Sequence, residues 1–274
     1  MLEIPEAIVI ANQLNQTISG KRINNVIAAS SPHKFAWYYG DPSEYHALLH
    51  GRKIEGALPC GGRIEINAEG AVMHFGDGVN LRFYGSGEKR PPKHQLLIEF
   101  EDDSALIATV AMYGGMWCFL AGQFDNIYYR AAKESVPPLS EEFDYDYFLG
   151  LFDEKSLKMS AKAFLATEQR IPGLGNGVLQ DILLNAKIHP KKKINLLTDE
   201  QKQALFNSVK TTLAEMVRGG GRDTERDLYG NFGGYTTKLS KNNKLLLCAD
   251  CGGAVRKETY LGGSIYYCEN CQER

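Results

Sequence analysis

No stretch of the 274 residues stays apolar over the roughly 18 to 20 positions that a membrane-spanning helix needs. The opening residues, MLEIPEAIVI, carry acids where a secretory leader would carry bases. Neither a membrane span nor an export signal is indicated, and a cytoplasmic chain is expected. No internal repeat or low-complexity tract is visible, which argues against a solenoid or a disordered tail. Positive charge is not in excess: 31 Lys and Arg face 33 Asp and Glu, for a net charge of −2. A nucleic-acid partner usually leaves a basic footprint, so the sum argues at first against one. The distribution is uneven, however. Residues 1–150 hold 19 acidic against 12 basic side chains, and residues 151–274 hold 14 against 19. The second half is therefore the anion-facing candidate, or simply a differently solvated surface.

What is present is a globular composition, 43% hydrophobic and 23% charged, long enough for two domains or for one domain with an appendage. Cysteine is sparse, with six in all, but four of them fall into CADCGGAVRKETYLGGSIYYCENC. Cys248 and Cys251 form one C-x-x-C and Cys268 and Cys271 another, with sixteen residues between the pairs. Two such turns joined by a two-strand spacer predict a four-thiolate zinc ribbon. With no open coordination position the zinc is structural, bracing a segment too short to have its own core. Two disulfides are the competing reading, disfavoured in a chain without an export signal. Cys60 and Cys118 lack partners at ligand spacing and read as small buried residues.

Residues 1 to about 20 read as an amphipathic helix, with Pro5 suited to its first turn and Glu6 to the positive end of its dipole. From Arg22 to about Tyr129, short alternating or apolar stretches such as IEIN, NLRFY and QLLIEF are separated by turns such as FGDGVN and EDDS, the pattern of a β-sandwich or barrel. The cluster Phe35, Trp37, Tyr38 and Tyr39 reads as core and rim packing of that sandwich. SVPPLS marks a linker, after which the period becomes helical. Helices are expected over 156–170 and 178–187, and a third after the capping box TDEQ, Thr198 to Gln201. The fold class expected is α+β, with a sandwich domain over 1–135, a helical domain over 136–240 and the ribbon over 241–274.

Between the first two of those helices, RIPGLGNGVLQDILLNAKIHP carries Pro172, Gly173, Gly175 and Gly177, which forbid a continuous helix. Asn176 is suited to cap the helix that restarts near Val178. The free amides there favour an anion such as phosphate, with Lys187, Lys191, Lys192 and Lys193 close behind. A plain helix-turn-helix corner with a solvated lysine face explains the same residues.

Taken together, the P-E-containing start, the PGLGN turn followed by HP, and the terminal ribbon ending YYCENCQ resemble the formamidopyrimidine-DNA glycosylase and endonuclease VIII family of base-excision repair enzymes. The resemblance covers the whole chain. It implies a clamp of two domains on double-stranded DNA, damaged or abasic, acting as a monomer with a structural zinc. It also implies a flipped nucleotide attacked at C1′ by the terminal amine, normally that of a proline at position 2, to give a Schiff base. Glu3 and Glu6 match the family's two glutamates, which serve in proton transfer. His74 and Asn176 match phosphate contacts. Asp77 and the pair Met112 and Tyr113 occupy the loops that fill the void left by the flipped base.

Several positions depart from the family pattern. Position 2 is Leu2, too bulky for ordinary methionine removal, so the terminal amine is that of Met1. The family lysine falls on Gly61 or Gly62, beside Arg63, whose guanidinium stays protonated and cannot act as a base. The finger arginine falls on Gly263, with Arg256 and Lys257 on the opposite strand. Two functions are consistent with this pattern: a DNA glycosylase with abasic-site lyase activity, and a non-catalytic reader of damaged or unusual DNA that has lost the nucleophile.

Overall fold

The computed structural model describes residues 2–243 and 246–274. It divides into two compact units, residues 1–130 with 225–232, and residues 131–224 with 233–274.

The first unit opens with helix α1 (Ile4–Thr17), with Glu3 at the N-cap and Pro5 in the first turn. Ala7, Ile10, Ala11 and Leu14 lie on one face of α1 and are buried in the core of this unit. Strands β1 (Ile23–Ala28) and β2 (Ala36–Trp37), helix α2 (Tyr45–Leu49), and strands β3 (Ile54–Cys60), β4 (Arg63–Ala68), β5 (Ala71–Tyr84), β6 (Leu96–Phe100) and β7 (Ala105–Leu120) follow. They form one seven-stranded sheet in the order β1-β6-β7-β5-β4-β3, with β2 paired in parallel to β7.

The two long strands join the halves of this sheet. Residues 71–77 of β5 pair with the end of β7 beside β4, and residues 79–84 pair with the start of β7 beside β6. The change of register between Asp77 and Val79 is a bulge, which bends a strand and sharpens its twist. Gly78 permits it, because a Cβ there would lie 2.5 Å from the Tyr113 carbonyl oxygen. Ile64, Ile66, Met73 and Phe75 from one half and Leu96, Ile98, Leu106 and Ala108 from the other share the core with α1. The segment 225–232, distant in sequence, buries Leu228 in the same core and bonds to it at both sides: Phe83 N donates to Leu228 O (3.0 Å) and Leu228 N to Gln13 Oε1 (3.0 Å).

The second unit takes up the chain within α3 (Ile127–Glu134) and continues through α4 (Tyr145–Gly150), α5 (Ala161–Ala166), α6 (Leu179–Asn185) and α7 (Asp199–Arg218) to the hairpin β8 (Val255–Tyr260) and β9 (Gly263–Cys268). The helix expected over 156–170 is shorter. Met159 and Ser160 are extended, Ser160 caps α5 through a bond from Ala163 N (3.3 Å), and Thr167 is extended at its end. Glu168 and Gln169 then take positive φ, which no α-helix continues through.

α7 starts at the expected capping box. Gln201 N donates to Thr198 Oγ1 (3.2 Å) and Thr198 N to Gln201 Oε1 (3.3 Å). Thr198→Ala is therefore expected to lower the stability of this unit by about 1 kcal/mol, read as a reduced denaturation midpoint with an unchanged m-value. Asp181, fully buried on α6, accepts from Lys238 N, Leu239 N and the Tyr235 hydroxyl and so ties the chain after 233 to the helices. Burial nonetheless holds its carboxyl above the usual range.

Candidate active site and metal centre

In the first unit the start of α1 is sunk into the protein: Leu2, Glu3 and Glu6 are all buried. Leu2 N donates to the Asp77 carbonyl oxygen (3.1 Å), and Glu3 O accepts from Ala7 N (2.9 Å) to begin the helix. Leu2 and Glu6 line a crevice of about 10 Å³ together with Asn80, Arg82, Glu225 and Arg226. Two buried carboxyl groups beside the chain's beginning are suited to proton transfer at a bound group. Met1, the expected bearer of the reactive amine, lies outside the described residues.

Asp77 holds this corner. It takes φ +60° in the bulge, its carbonyl binds Leu2, and its Oδ1 lies 3.9 Å from Arg63 Nη2. Arg63 is laid over the rings of Trp117 and Tyr128, and it passes so close to Gly76 that a Cβ there would stand 3.1 Å from its side chain. A permanently charged guanidinium, not a base, thus occupies the strand start beside Gly61 and Gly62.

The expected DNA contacts separate by burial. Met112 is 68% exposed, and Tyr113 is half-buried with its ring 5.8 Å from that of Trp37. Asp77 pairs with Gly114 across the ladder and Val79 with Val110, so Met112 and Tyr113 fall in the stretch of β7 opposite the bulge. Phe35 and Trp37, read from sequence as packing residues, stand exposed beside them. His74 is different. It is fully buried, stacked on Trp117 (5.5 Å) and met edge-on by Tyr129 (4.9 Å), so no part of its ring reaches the surface in this conformation. Tyr129 donates to Glu65 Oε2 (2.9 Å), and burial with that neighbouring carboxylate pushes its hydroxyl pKa up.

In the second unit Asn176 does not cap α6. Val178 holds the N-cap position without a side-chain bond, and Asn176 Nδ2 donates instead to Ser264 O on β9 (2.7 Å). Gln180 adds two bonds to the same strand, from Nε2 to Ser264 O (3.0 Å) and to Oε1 from Tyr266 N (3.0 Å). The glycine-rich corner is thereby joined to the ribbon. His189 meets the Tyr267 ring edge-on (4.3 Å) and accepts from Lys191 N through Nδ1 (3.0 Å), as a neutral imidazole can.

Burial, with Arg274 and Lys191 nearby, depresses the His189 pKa. A depressed histidine contributes stability that is complete above its unfolded value near 6.5 and is lost as pH falls through the folded value. Acidification below about pH 6.5 is accordingly expected to lower the unfolding temperature of this unit, and His189→Gln to flatten that dependence.

The four thiols converge. Cys248, Cys251, Cys268 and Cys271 place their sulfurs within 4.8 Å of one another, with Cys248 to Cys271 at 3.9 Å and Cys251 to Cys268 at 3.5 Å. A tetrahedral zinc with bonds of about 2.3 Å separates its sulfurs by about 3.8 Å, whereas a disulfide needs about 2.05 Å. The donor set fits a metal and excludes the disulfide reading. Cys60 and Cys118 are buried, as expected, and are in no disulfide among the described residues; burial raises the Cys118 thiol pKa.

Residues 135–227 match the family model of the formamidopyrimidine-DNA glycosylase H2TH domain. Curated relatives match end to end: a formamidopyrimidine-DNA glycosylase of Cytobacillus firmus is 26% identical across 99% of this chain and all of its own, and that of Bacillus licheniformis is 28% identical across the full length of both. Over its full length the chain is similar to formamidopyrimidine-DNA glycosylases. The family's fold is shared as well. The MutM (Fpg) protein of Thermus thermophilus superimposes with a TM-score of 0.81 at 23% identity, covering 98% of each chain. The Lactococcus lactis Fpg in complex with DNA containing an abasic site does so with a TM-score of 0.81 at 23% identity, covering 99% of this chain and all of that one.

Two features escaped the sequence reading. Segment 225–232 gave no local signal, because its role rests on Leu228 meeting a core more than 100 positions away in sequence. Lys162, 3% exposed, sits in a short helix whose pattern marks it only as one lysine among several.

Proposed function

We propose that this protein recognises damaged bases in double-stranded DNA and releases them, as a DNA glycosylase of base-excision repair working as a monomer in the cytoplasm. The observation that carries this reading is the burial of Glu3 and Glu6 beside Leu2, at the bulge that holds Asp77 and faces Met112 and Tyr113 on β7. The relatives' printed names and the abasic-site DNA in the Lactococcus lactis complex support the substrate class. The working division is a sheet domain over 1–135, a helical domain over 136–240 and a ribbon over 241–274. Cys248, Cys251, Cys268 and Cys271 hold a structural zinc that braces the ribbon.

In this reading the damaged nucleotide leaves the stack, and Met112 and Tyr113 fill the space it vacates. The crevice beside Leu2 and Glu6 has room for little more than one water, so Arg226, exposed at its edge, moves when a nucleotide enters. The terminal amine of Met1 attacks C1′ in its unprotonated form. As the glycosidic bond breaks, the base leaves with a proton from Glu3, and Glu6 holds the amine and sugar in register.

A second reading, a reader of damage without chemistry, is favoured by one observation. Leu2 N is a peptide amide donating to Asp77 O, and an amide is no nucleophile. Incubation with duplexes carrying oxidised or ring-opened bases separates the two. The glycosylase releases free base from at least one lesion, whereas a reader binds the same duplex more tightly than undamaged DNA and releases none.

A further inference from the structure

Three of the four lysines after the glycine-rich corner are met by carboxylates within the protein itself. Lys187 pairs with Asp250, Lys191 with Glu258, and Lys192 lies 3.9 Å from Glu273, while Lys193 is bonded to Lys158 O (2.9 Å). Lys162 differs. It is 3% exposed, it donates to the Tyr260 carbonyl oxygen, and no carboxylate pairs with it among the described residues. Its ammonium also lies over the Tyr260 ring (5.9 Å), but a buried cation answered by a backbone dipole and a ring face, with no carboxylate, is electrostatically incomplete. Consistent with this, burial holds its pKa below the ordinary lysine value.

Its surroundings say where completion comes from. A Cβ on Gly263 would stand 3.4 Å from Lys162 Nζ and 3.5 Å from Asn176 Nδ2. Any side chain at position 263 would cover that side of the ammonium, and glycine leaves it open. Lys191 stacks on the same Tyr260 ring (5.3 Å), but its charge is met by Glu258. The unneutralised ammonium of Lys162 therefore lies beneath the hairpin turn, beside Asn176 and under a residue with no side chain.

We infer that Lys162 binds a backbone phosphate of the DNA through the opening left by Gly263, supplying from α5 the cation that the hairpin turn itself lacks. This rests on the DNA reading above and assigns one of its contacts. Anisotropy titration of the zinc-loaded protein on a duplex containing a tetrahydrofuran abasic analogue, between 50 and 200 mM salt, tests it. Lys162→Met is expected to reduce the slope of log affinity against log salt by about 0.9, one phosphate's worth, with affinity falling on the order of tenfold at the lower salt.

Lys162→Arg keeps the slope, and adding Gly263→Arg to Lys162→Met recovers it by restoring charge without restoring the bond to Tyr260. Zinc content and unfolding temperature are followed alongside. If Lys162→Met does not fold, Gly263→Asp against Gly263→Asn carries the test with Lys162 in place, the aspartate variant losing the same increment of slope. A slope unchanged in Lys162→Met, or equal in the two position-263 variants, overturns the assignment while the DNA reading stands. A wild-type protein that binds no duplex at low salt overturns both.

Discussion

Stripping the metal, or replacing Cys268 by serine, is expected to unfold residues from about 246 onward and to weaken binding to abasic-site duplex by roughly a thousandfold, to the non-specific level. The ribbon's own apolar contacts are few. Among the described residues, Cys248, Val255, Tyr266 and Cys268 cluster with Leu184, Leu239 and the partly buried Cys271. Metal binding in such modules contributes about 10 to 16 kcal/mol, more than this cluster supplies by burial. Its loss also releases the bonds that Asn176 and Gln180 make to β9 and that Gln272 Nε2 makes to Ile188 O (2.9 Å), so the glycine-rich corner loses its support. The first unit shares none of these contacts and keeps its sheet. Calorimetry with and without chelator checks this, with one transition lost and one retained, and zinc addition restoring both transition and binding.

The second large effect is expected at Glu3. Glu3→Gln keeps the size of a buried side chain and removes its capacity to give or take a proton, at an N-cap whose observed bond to Ala7 comes from the backbone. Base release is expected to fall by roughly 10² to 10⁴-fold, the range for a lost general acid or base, with duplex affinity within a few-fold of wild type. Single-turnover base release against anisotropy distinguishes the two quantities. A parallel fall in both would assign Glu3 to binding, not proton transfer.

The parts legible in the sequence are those fixed by local chemistry. The two C-x-x-C pairs point to one tetrahedral site because their spacing leaves few alternatives, and TDEQ marks the start of α7 because its reciprocal bonds lie within four residues. Alternation between β3 and β7 marks the strands, but not that β5 and β7 each serve both halves of the sheet through the bulge at Asp77.

The features missed all depend on distant partners. Asn176 reads as a cap and is drawn to Ser264 instead. The helix expected over 156–170 keeps its apolar period yet breaks at Ser160 and again after Ala166, where the backbone turns to positive φ. His74, matched by the resemblance to a phosphate contact, is wholly enclosed by Trp117 and Tyr129. Phe35 and Trp37, grouped with Tyr38 and Tyr39 as packing, stand at the surface because β2 is a two-residue strand beside Gly114 and Gly115. Lys162 matters only through its nearness to Gly263, 101 positions later.

The central claim is that the beginning of the chain performs chemistry on a nucleotide taken out of the duplex. Borohydride reduction during incubation with an abasic-site duplex, followed by peptide mass mapping of the adduct, tests it most directly. The account predicts a covalent protein–DNA species whose bond maps to the amino-terminal peptide and which Glu3→Gln depletes. No adduct, with the duplex still bound, or an adduct mapped to an internal lysine, would contradict it.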